Sequence, residues 1–234
     1  VSCSKTTNKM KNPSNKMTTE LIDISSNKLT ATNVNVTDVT YLGEKATKVK
    51  LTDAYQQKLV DAFKAKKHIN PNAHAALPID LFIGEVEFDM AIEINEFANP
   101  FSRGFGGLAF RLQEDNETYE AIYTRGTNGL LNKPLPEATQ VTHGIQYVSE
   151  PKQNFAFLRT NYPEIYEKPA SISINTWHHY KFVIKENSVS VFIDNAPTPS
   201  ITSDDQFAIK TTGKLALWLG PATNTYFKNF KITK

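Results

Sequence analysis

Several polar side chains in the middle of the sequence have the types that sugar-binding sites use. They are Arg111, Arg125, His143, Gln146 and Tyr147. Arginine offers forked hydrogen-bond donors, histidine changes its charge near neutral pH, and tyrosine adds an aromatic surface. If these side chains meet on the concave face of a sheet, they form a cleft that suits a sugar, especially an acidic one. We therefore predict a polysaccharide or an oligosaccharide as the partner.

Three further residues extend the predicted binding site. Arg125 ends a predicted strand and is followed by a tight loop that contains Asn128. From that position Arg125 could reach a ligand or a neighbouring carboxylate such as Glu120. Arg159 supplies another guanidinium group from a later segment. Glu120, Asn128 and Arg159 thus join the arginines and Gln146 as candidate ligand-binding residues.

His143 and Tyr147 are the candidate catalytic residues. In an enzyme either could act as a base, while an arginine neutralises the developing negative charge. Both would share one face of a strand over residues 141–149, whereas Gln146 would point the other way unless a bulge intervenes. In the structural alternative, His143 is an ordinary hydrogen-bonded residue and the arginines pair with nearby carboxylates. Those carboxylates would be Glu114, Glu120 and Glu150.

Side-chain alternation predicts where Arg111 lies. Along the strand predicted over residues 104–112, Arg111 shares its face with Gly107 and Ala109, opposite Leu108 and Phe110. We therefore expect its guanidinium group to leave the core and to reach an open sheet face or a cleft.

Strands with a two-residue period must position these side chains. The clearest alternation covers residues 82–95, and further strands are predicted over residues 34–51, 104–112, 118–125 and 141–149. A hairpin follows, with strands over residues 180–184 and 189–193 and a short polar turn between them. A second hairpin-like pair is predicted from residues 213–219 and 226–232, separated by Gly220 and Pro221.

One segment departs from the strand period. Tyr55, Leu59 and Phe63 recur every four residues and predict a helix over residues 52–67, with Asp53 and Gln56 spaced like a capping box. Residues 68–78 contain two prolines and no sustained period, which predicts a loop. Many short strands, one short helix and polar turns indicate an all-β fold, a two-sheet antiparallel jelly-roll sandwich.

The C-terminal quarter carries a family resemblance. Trp177, the hairpin after it, the strand at residues 213–219 and the final strand at residues 226–232 resemble the concanavalin A-like lectin/glucanase superfamily, including its laminin G-like and 3-keto-disaccharide hydrolase-like branches. The segments RGFGGLAFR and YTRGTNG, a histidine near Gln146-Tyr147, and Leu158-Arg159 before Tyr166-Glu167 resemble a bacterial group within it. The resemblance covers residues 81–232 and implies a fold without assigning an activity.

A strand rich in carboxylates is a second candidate for catalysis. Glu87 and Asp89 share one face, and glycoside hydrolases of family 16 in this superfamily carry a similar strand with a third carboxylate. Here Ala91 and Ile92 stand where that third carboxylate could fall. The motif is broken, and we favour a solvent-facing strand.

Composition excludes several classes of function. The net charge is only +2, and no basic helix with interleaved aromatic residues is present, so nucleic acid is not an expected partner. No apolar run approaches the roughly 20 residues of a membrane-spanning helix. His178 and His179 are adjacent and would point to opposite faces, and Asp115-Asn116 and Asp204-Asp205 offer too few oxygen ligands for calcium. We assign no metal and no cofactor.

The single cysteine, Cys3, follows Val1-Ser2 in a segment that looks like the end of a bacterial lipoprotein signal. Residues 1–20 have the polar composition of a flexible tether, and residues 21–234 form the predicted jelly-roll domain. An ordinary polar terminus is the alternative. From the lipoprotein-like segment we predict an exported protein that is periplasmic or on the cell surface. A lipid on Cys3 would be its only contact with the membrane.

The sequence therefore predicts an exported carbohydrate-recognising jelly roll that binds a glycan on its concave sheet. Two alternatives stay open. One is a glycoside hydrolase or polysaccharide lyase that uses the same cleft, and the other is a non-catalytic adhesion or scaffold module of the laminin G type.

Overall fold

A computed structural model describes residues 17–67, 69, 72–204 and 206–234. Cys3, with the predicted lipid site, lies outside the described residues, as do residues 1–16 of the predicted tether. Within the described part, Thr19 and Glu20 already belong to a strand that pairs with the C-terminal strand. The sheet therefore begins two residues before the predicted domain boundary.

The described elements follow one another as many short strands and few helices. The strands are β1 (Thr19–Leu21), β2 (Thr30–Thr32), β3 (Val34–Tyr41), β4 (Glu44–Leu51), β5 (His74–Leu81), β6 (Gly84–Ile94), β7 (Phe105–Leu112), β8 (Tyr119–Arg125), β9 (Ile145–Glu150), β10 (Glu167–Lys168), β11 (His178–Lys185), β12 (Ser188–Ile193), β13 (Ile201–Asp204), β14 (Gly213–Leu219) and β15 (Thr223–Thr233). The α-helices are α1 (Asp53–Lys64), α2 (Ala138–Val141) and α3 (Phe155–Asn161), and short 3-10 turns cover Ser26–Lys28 and Gly126–Asn128.

These strands form two antiparallel sheets packed face to face. The eight-stranded sheet has the order β13-β12-β11-β6-β15-β4-β3, and β1 also pairs with β15. The seven-stranded sheet has the order β10-β9-β8-β7-β14-β5-β2. The predicted two-sheet jelly-roll sandwich is confirmed.

The sandwich core lies between the two sheets and is rich in aromatic rings. Phe88, in the middle of β6, is fully buried and stacks on Tyr180 and Phe230, with ring centroids 5.6 Å apart in both pairs. Thr124 of β8 meets the hydroxyl group of Tyr180 across the core at 3.1 Å. Burying a ring such as that of Phe88 contributes about 1.5–3 kcal/mol, so the alternating apolar residues seen in the sequence hold the two sheets together.

Helix α1 confirms the predicted helix. Its N-cap is Thr52, whose side-chain oxygen accepts a hydrogen bond from the backbone N–H of Tyr55, rather than the predicted pair of Asp53 and Gln56. Tyr55 and Leu59 are buried. Helices α2 and α3 were not predicted, because four and seven residues are too short to show a helical period.

Two predicted connections differ in the structure. Strand β5 occupies the end of the predicted loop and contains Pro78. Proline is tolerated there because the pairing of β5 with β14 shifts between Ala76 and Asp80, so no ladder hydrogen bond is needed from Pro78. Strands β14 and β15 are not a hairpin: the chain crosses at Gly220 and Pro221 from the seven-stranded sheet to the eight-stranded one.

Candidate functional site

The seven-stranded sheet carries a row of large side chains on the face turned away from the other sheet. Strand register places one residue of each strand in this row. The row consists of Thr32, His74, Trp218, Gly107, Tyr123, Gln146 and Glu167. Side chains aligned in this way across neighbouring strands contact each other directly.

Two aromatic rings of this row stack on each other. The rings of Tyr123 and Trp218 lie 4.6 Å apart at an angle of 22°. The strand between them contributes Gly107, where a Cβ would collide with the carbonyl oxygen of Ile122 and lie 2.8 Å from the Cβ of Tyr123. Since no side chain separates the rings, they stack directly on each other, and together they form what we call the aromatic floor. The indole N–H of Trp218 donates to the hydroxyl oxygen of Tyr119 at 3.1 Å, which fixes its orientation.

A cavity of about 310 Å³ lies on this floor, and we call it the Trp218 pocket. Helix α1 forms one wall and the segment around Phe101 forms another. The residues that line the pocket are Gln56, Leu59, Val60, Ala62, Phe63, Lys67, Ile69, Asn99, Phe101, Ser102, Phe105, Tyr123, Glu150, Phe155, Trp218 and Pro221. At the rim, the rings of Phe63 and Phe101 lie 5.2 Å apart, although 55% and 62% of these residues are exposed. Exposed rings beside a pocket are typical of a binding surface.

Glu150, at the end of β9, is the acidic residue of the pocket lining. Only 8% of it is exposed, and its Oε2 atom is buried without a hydrogen-bond partner among the described residues. Burial raises the pKa of its carboxyl group to about 7. A buried carboxylate without a partner is costly, so this group has an unmet capacity for a ligand.

Some of the predicted site residues lie together beside the pocket, where they surround the carboxylate of Glu167; they are Arg125, His143, Gln146 and Arg159. Glu167 receives two hydrogen bonds from Arg159, at 2.7 and 2.6 Å, and one from Arg125 at 3.1 Å. His143 Nδ1 lies 2.8 Å from Glu167 Oε2, a distance typical of an ion pair, without the alignment of a hydrogen bond. Gln146 Oε1 accepts a hydrogen bond from Arg125 at 3.2 Å. We call these five residues the Glu167 cluster.

The Glu167 cluster joins one carboxylate to two guanidinium groups, so it keeps a net positive charge. Burial alone would raise the pKa of Glu167, but the hydrogen bond from Arg159 and the charges of Arg125, Arg159 and His143 lower it. The same hydrogen bond raises the pKa of Arg159. Because Glu167 engages both guanidinium groups, they do not form the open cationic cleft that would select an acidic sugar.

The cluster also supports the wall of the Trp218 pocket. The guanidinium group of Arg125 lies 5.4 Å from the ring centre of Tyr123, and that of Arg159 lies 5.5 Å from the ring centre of Phe155. Helix α3 places Phe155 and Arg159 one turn apart, and Asn154 caps it by accepting hydrogen bonds from two backbone N–H groups. Both rings line the pocket, so the arginines position its aromatic wall from behind.

Three predicted site residues lie elsewhere, inside the sandwich core. Arg111 is 1% exposed, and Glu120 and Tyr147 are 0% exposed. Arg111 donates to Glu120 at 2.7 Å, and the Tyr147 hydroxyl group donates to the same carboxylate at 2.9 Å. Arg111 also donates to the carbonyl oxygens of Phe82 and Lys185. This buried network ties strand β7 to two turns and does not reach the pocket.

The expectation that Arg111 is a surface or cleft residue is wrong because of a β-bulge. Leu112 pairs with Lys214, while Ala109 pairs with Ala216, so β7 has one residue more than β14 across this interval. Arg111 has a positive φ of 51°. The extra residue reverses the alternation, which turns the guanidinium group into the core.

His143 and Tyr147 do not share a strand face, contrary to expectation. The segment predicted as a strand over residues 141–149 begins with the end of α2, and β9 starts only at Ile145. Gln146, not Tyr147, faces the pocket side. Asn128 donates to the backbone carbonyl oxygen of His143 at 3.1 Å and so holds the loop that places His143.

The residues that form the pocket itself are not among the predicted site residues. The sequence pattern assigns Trp218, Tyr123 and Phe105 to strands, and Glu150 is a predicted partner of the arginines. The sequence does carry a signal for two of these residues. Tyr123 lies two residues before Arg125 on the same strand, and Phe105 pairs with Arg125 on the neighbouring strand, so the three side chains share one sheet face. The contribution of α1 could not be found, because no sequence pattern tells which sheet face a helix covers.

The carboxylates of β6 lie on the outer face of the eight-stranded sheet. Asp89 contacts His179 at 2.8 Å and accepts a hydrogen bond from Asn229, while Glu87 lies 3.3 Å from His179. His178 instead contacts Asp194 at 2.7 Å. These pairings fit the interpretation of a solvent-facing strand.

Neither a metal centre nor a membrane helix is found in the part of the chain that the structure describes. No group of three or more His, Cys, Asp and Glu side chains there could hold a metal ion. No helix among the same residues is long and apolar enough to cross a membrane.

Comparison with known proteins gives similarity at the level of structure. No protein-family model and no curated protein sequence matches the chain. The carbohydrate-binding module CBM66 from Bacillus subtilis matches with a TM-score of 0.55 and 13% identity, over 91% of this chain and 99% of that one. A β-glucanase from Bacillus licheniformis matches with a TM-score of 0.47 and 15% identity, over 95% and 94%. A prokaryotic β-1,3-1,4-glucanase (lichenase) derived from a mouse hindgut metagenome gives 0.48 and 13%, over 93% and 98%.

The match to CBM66 confirms the concanavalin A-like fold that the C-terminal strands predicted. At 13% identity it concerns the fold alone. Any conclusion about function must therefore come from the pocket.

Proposed function

We propose that this chain recognises a carbohydrate and that the Trp218 pocket holds the sugar. The observation that carries the proposal is the aromatic floor of Tyr123 and Trp218 with polar groups at its edge. Sugars present an apolar face of C–H groups and a rim of hydroxyl groups, which is the pattern this lining complements. The similarity in fold to a carbohydrate-binding module agrees with this role.

The polar edge of the pocket suits hydroxyl groups. Gln56, Asn99 and Ser102 lie in the lining with Glu150. The Oε1 atom of Gln56 accepts a hydrogen bond from the backbone N–H of Ala222 at 2.8 Å, which anchors its amide group. Fixed amide and hydroxyl groups beside an aromatic surface give orientation to a bound ligand.

Binding is favoured over hydrolysis by the number of carboxyl groups. Glycoside hydrolases use two carboxyl groups about 5 to 9.5 Å apart. Among the described lining residues, Glu150 alone is acidic. Glu167 pairs in register with Gln146, four residues from Glu150 along β9, so the backbone positions of the two glutamates are about 13 Å apart at the usual rise per residue. A lyase that uses Tyr147 as base is disfavoured as well, since that hydroxyl group is buried and donates to Glu120.

The test is a binding screen of the protein against soluble polysaccharides and oligosaccharides, followed by titration of the best ligand. Phe101→Ala should weaken binding about fivefold, the equivalent of about 1 kcal/mol, because an exposed rim ring is lost without damage to the core. Phe157→Ala is the matched control: Phe157 is also partly exposed, but it packs on Tyr162 and Phe207. Equal effects of the two variants, or no glycan binding with retained affinity for a protein, would contradict the proposal and favour the scaffold alternative. Release of sugar products by the wild-type domain would favour the hydrolase or lyase.

A further inference from the structure

We propose that the sugar held by the Trp218 pocket carries a free amino group, so that its ligand is an amino sugar in the ammonium form. This inference rests on the proposed function and specifies its ligand class. It follows from the contrast between a carboxyl group inside the pocket whose Oε2 atom lacks a partner among the described residues and arginines outside the pocket that Glu167 engages.

The first step is the unmet capacity of Glu150. Its Oε2 atom is buried and lacks a hydrogen-bond partner in the part of the chain that the structure describes. A cation that enters the pocket would pair with this carboxylate and remove the cost of burying it alone. A hydroxyl group and an ammonium group would both make charge-assisted hydrogen bonds to this carboxylate. The ammonium group adds the attraction between opposite charges, which is stronger in a buried site than in water.

The second step is the aromatic lining. Six rings surround the cavity: Phe63, Phe101, Phe105, Tyr123, Phe155 and Trp218. The rings of Tyr123 and Phe155 already have a guanidinium group nearby. The exposed rings of Phe63 and Phe101 at the rim are therefore the ones that can attract a further cation. The apolar lining as a whole fits the C–H face of a pyranose. Together, the rings and the carboxylate fit a sugar that carries a cationic substituent and has one apolar face.

The third step concerns the positive charges near the pocket. Arg125 and Arg159 share the single carboxylate of Glu167, so both guanidinium groups are engaged outside the pocket, although the cluster keeps a net positive charge. Lys67 also lines the pocket, but it is exposed, and no ion pair joins it to Glu150 among the described residues. An acidic sugar would bring a second carboxylate next to Glu150, and like charges in a buried site repel. The pocket thus selects against the acidic sugar that the arginines alone suggested.

The test uses matched sets of sugars that differ only at one substituent. Glucose, N-acetylglucosamine and glucosamine form one set, galactose and its two amino derivatives form another, and glucuronate is the acidic probe. Ligand-observed NMR with the wild-type domain measures relative affinities, and glucosamine oligosaccharides against their N-acetylated forms give dissociation constants. We expect the free amino form to bind at least about tenfold more tightly. In Glu150→Gln this preference should fall to nearly one, while Glu114→Gln, which removes an exposed carboxylate, should retain it.

Each outcome separates the inference from the proposed function. Binding of neutral or N-acetylated sugars that is as tight as that of the amino sugars overturns the amino-sugar assignment and leaves carbohydrate recognition standing. Tighter binding of glucuronate overturns it as well. Equal binding of choline shows that the pocket takes an ammonium group without the sugar, which also overturns the assignment. No binding of any sugar, in this series or in the polysaccharide screen, overturns both. If Glu150→Gln still prefers the free amino sugars, the result contradicts the role of Glu150 as the group that binds the ammonium.

Discussion

Glu150 is a buried glutamate whose Oε2 atom has no hydrogen-bond partner among the described residues. The groups that face it are uncharged at neutral pH or exposed: Tyr119 is its register partner on β8, Tyr123 and Trp218 form the floor, and Lys67 lies in the lining. Burial raises the pKa of Tyr123 to about 12, so this tyrosine stays neutral. The carboxyl group of Glu150 therefore experiences burial without compensation.

This environment predicts a pH-dependent stability. The pKa of Glu150 is raised from 4.5 in an unfolded chain to about 7 in the fold, so the unfolded chain releases this proton first as pH rises. The contribution of Glu150 is then most favourable below pH 4.5 and is lost progressively up to pH 7. Glu150→Gln cannot ionise, and its free energy of unfolding relative to wild type should rise by about 2 kcal/mol between pH 5 and pH 8. Urea denaturation at the two pH values measures the difference, and an equal difference at both would contradict the raised pKa.

Gly107 is the second residue whose type is dictated by a contact. A methyl group there would collide with the backbone of Ile122 and press on Tyr123. We expect Gly107→Ala to destabilise the fold by about 1–3 kcal/mol and to separate the rings of Tyr123 and Trp218. Thermal unfolding and near-UV circular dichroism report the two effects. Unchanged stability together with an unchanged aromatic spectrum would show that the floor does not depend on this glycine.

At the scale of elements, the buried network of Arg111, Glu120 and Tyr147 holds strand ends to turns. Glu120 accepts hydrogen bonds from Arg111, from the Tyr147 hydroxyl group and from the backbone N–H of Ile209. Glu120→Ala would leave the guanidinium group buried without its counter-charge, which costs about 3–5 kcal/mol. Glu114→Ala, which breaks an exposed pair with Lys214, should cost less than about 1 kcal/mol. Chemical denaturation of both variants gives the comparison, and similar values would contradict a structural role for the network.

The same elements show what sequence can and cannot predict. Alternation predicted β6, β7, β8 and the β11–β12 hairpin, because side chains that contact a core on one face must recur every second residue. It failed at Arg111, where one extra residue in β7 reverses the faces, and at Pro78, which occupies a shift in the pairing of β5. Bulges depend on the partner strand, so the pattern of a single strand does not reveal them.

At the scale of the whole molecule, the sequence predicted the sandwich but not the position of the site. The resemblance of the C-terminal strands predicted the fold class. The structure places some of the candidate site residues in the core and others in the Glu167 cluster. The pocket arises only when α1, α3 and the segment around Phe101 are placed over one face of the seven-stranded sheet. Those placements depend on contacts between distant segments, which are not encoded in a local period.

The lipid anchor on Cys3 stays a prediction at this scale. If the chain is exported and tethered through Cys3, expression with a lipoprotein signal in a bacterial host should yield a membrane-associated protein. Its N-terminal peptide should carry the mass of a diacylglyceryl-modified and acylated cysteine. Cys3→Ser should release the protein in soluble form. An unmodified Cys3 in the mass spectrum would contradict the anchor without affecting the pocket.

The most direct test of carbohydrate recognition in the Trp218 pocket uses the two tryptophans of the chain. Their indole N–H groups give two resolved signals in a ¹⁵N–¹H spectrum: Trp218 belongs to the pocket floor, and Trp177 packs against Tyr41 beside the eight-stranded sheet. On titration with the sugar selected by the binding screen, the account predicts a saturable shift of the Trp218 signal and an unchanged Trp177 signal. A shift of the Trp177 signal alone, or of neither signal at saturating sugar, would contradict the account.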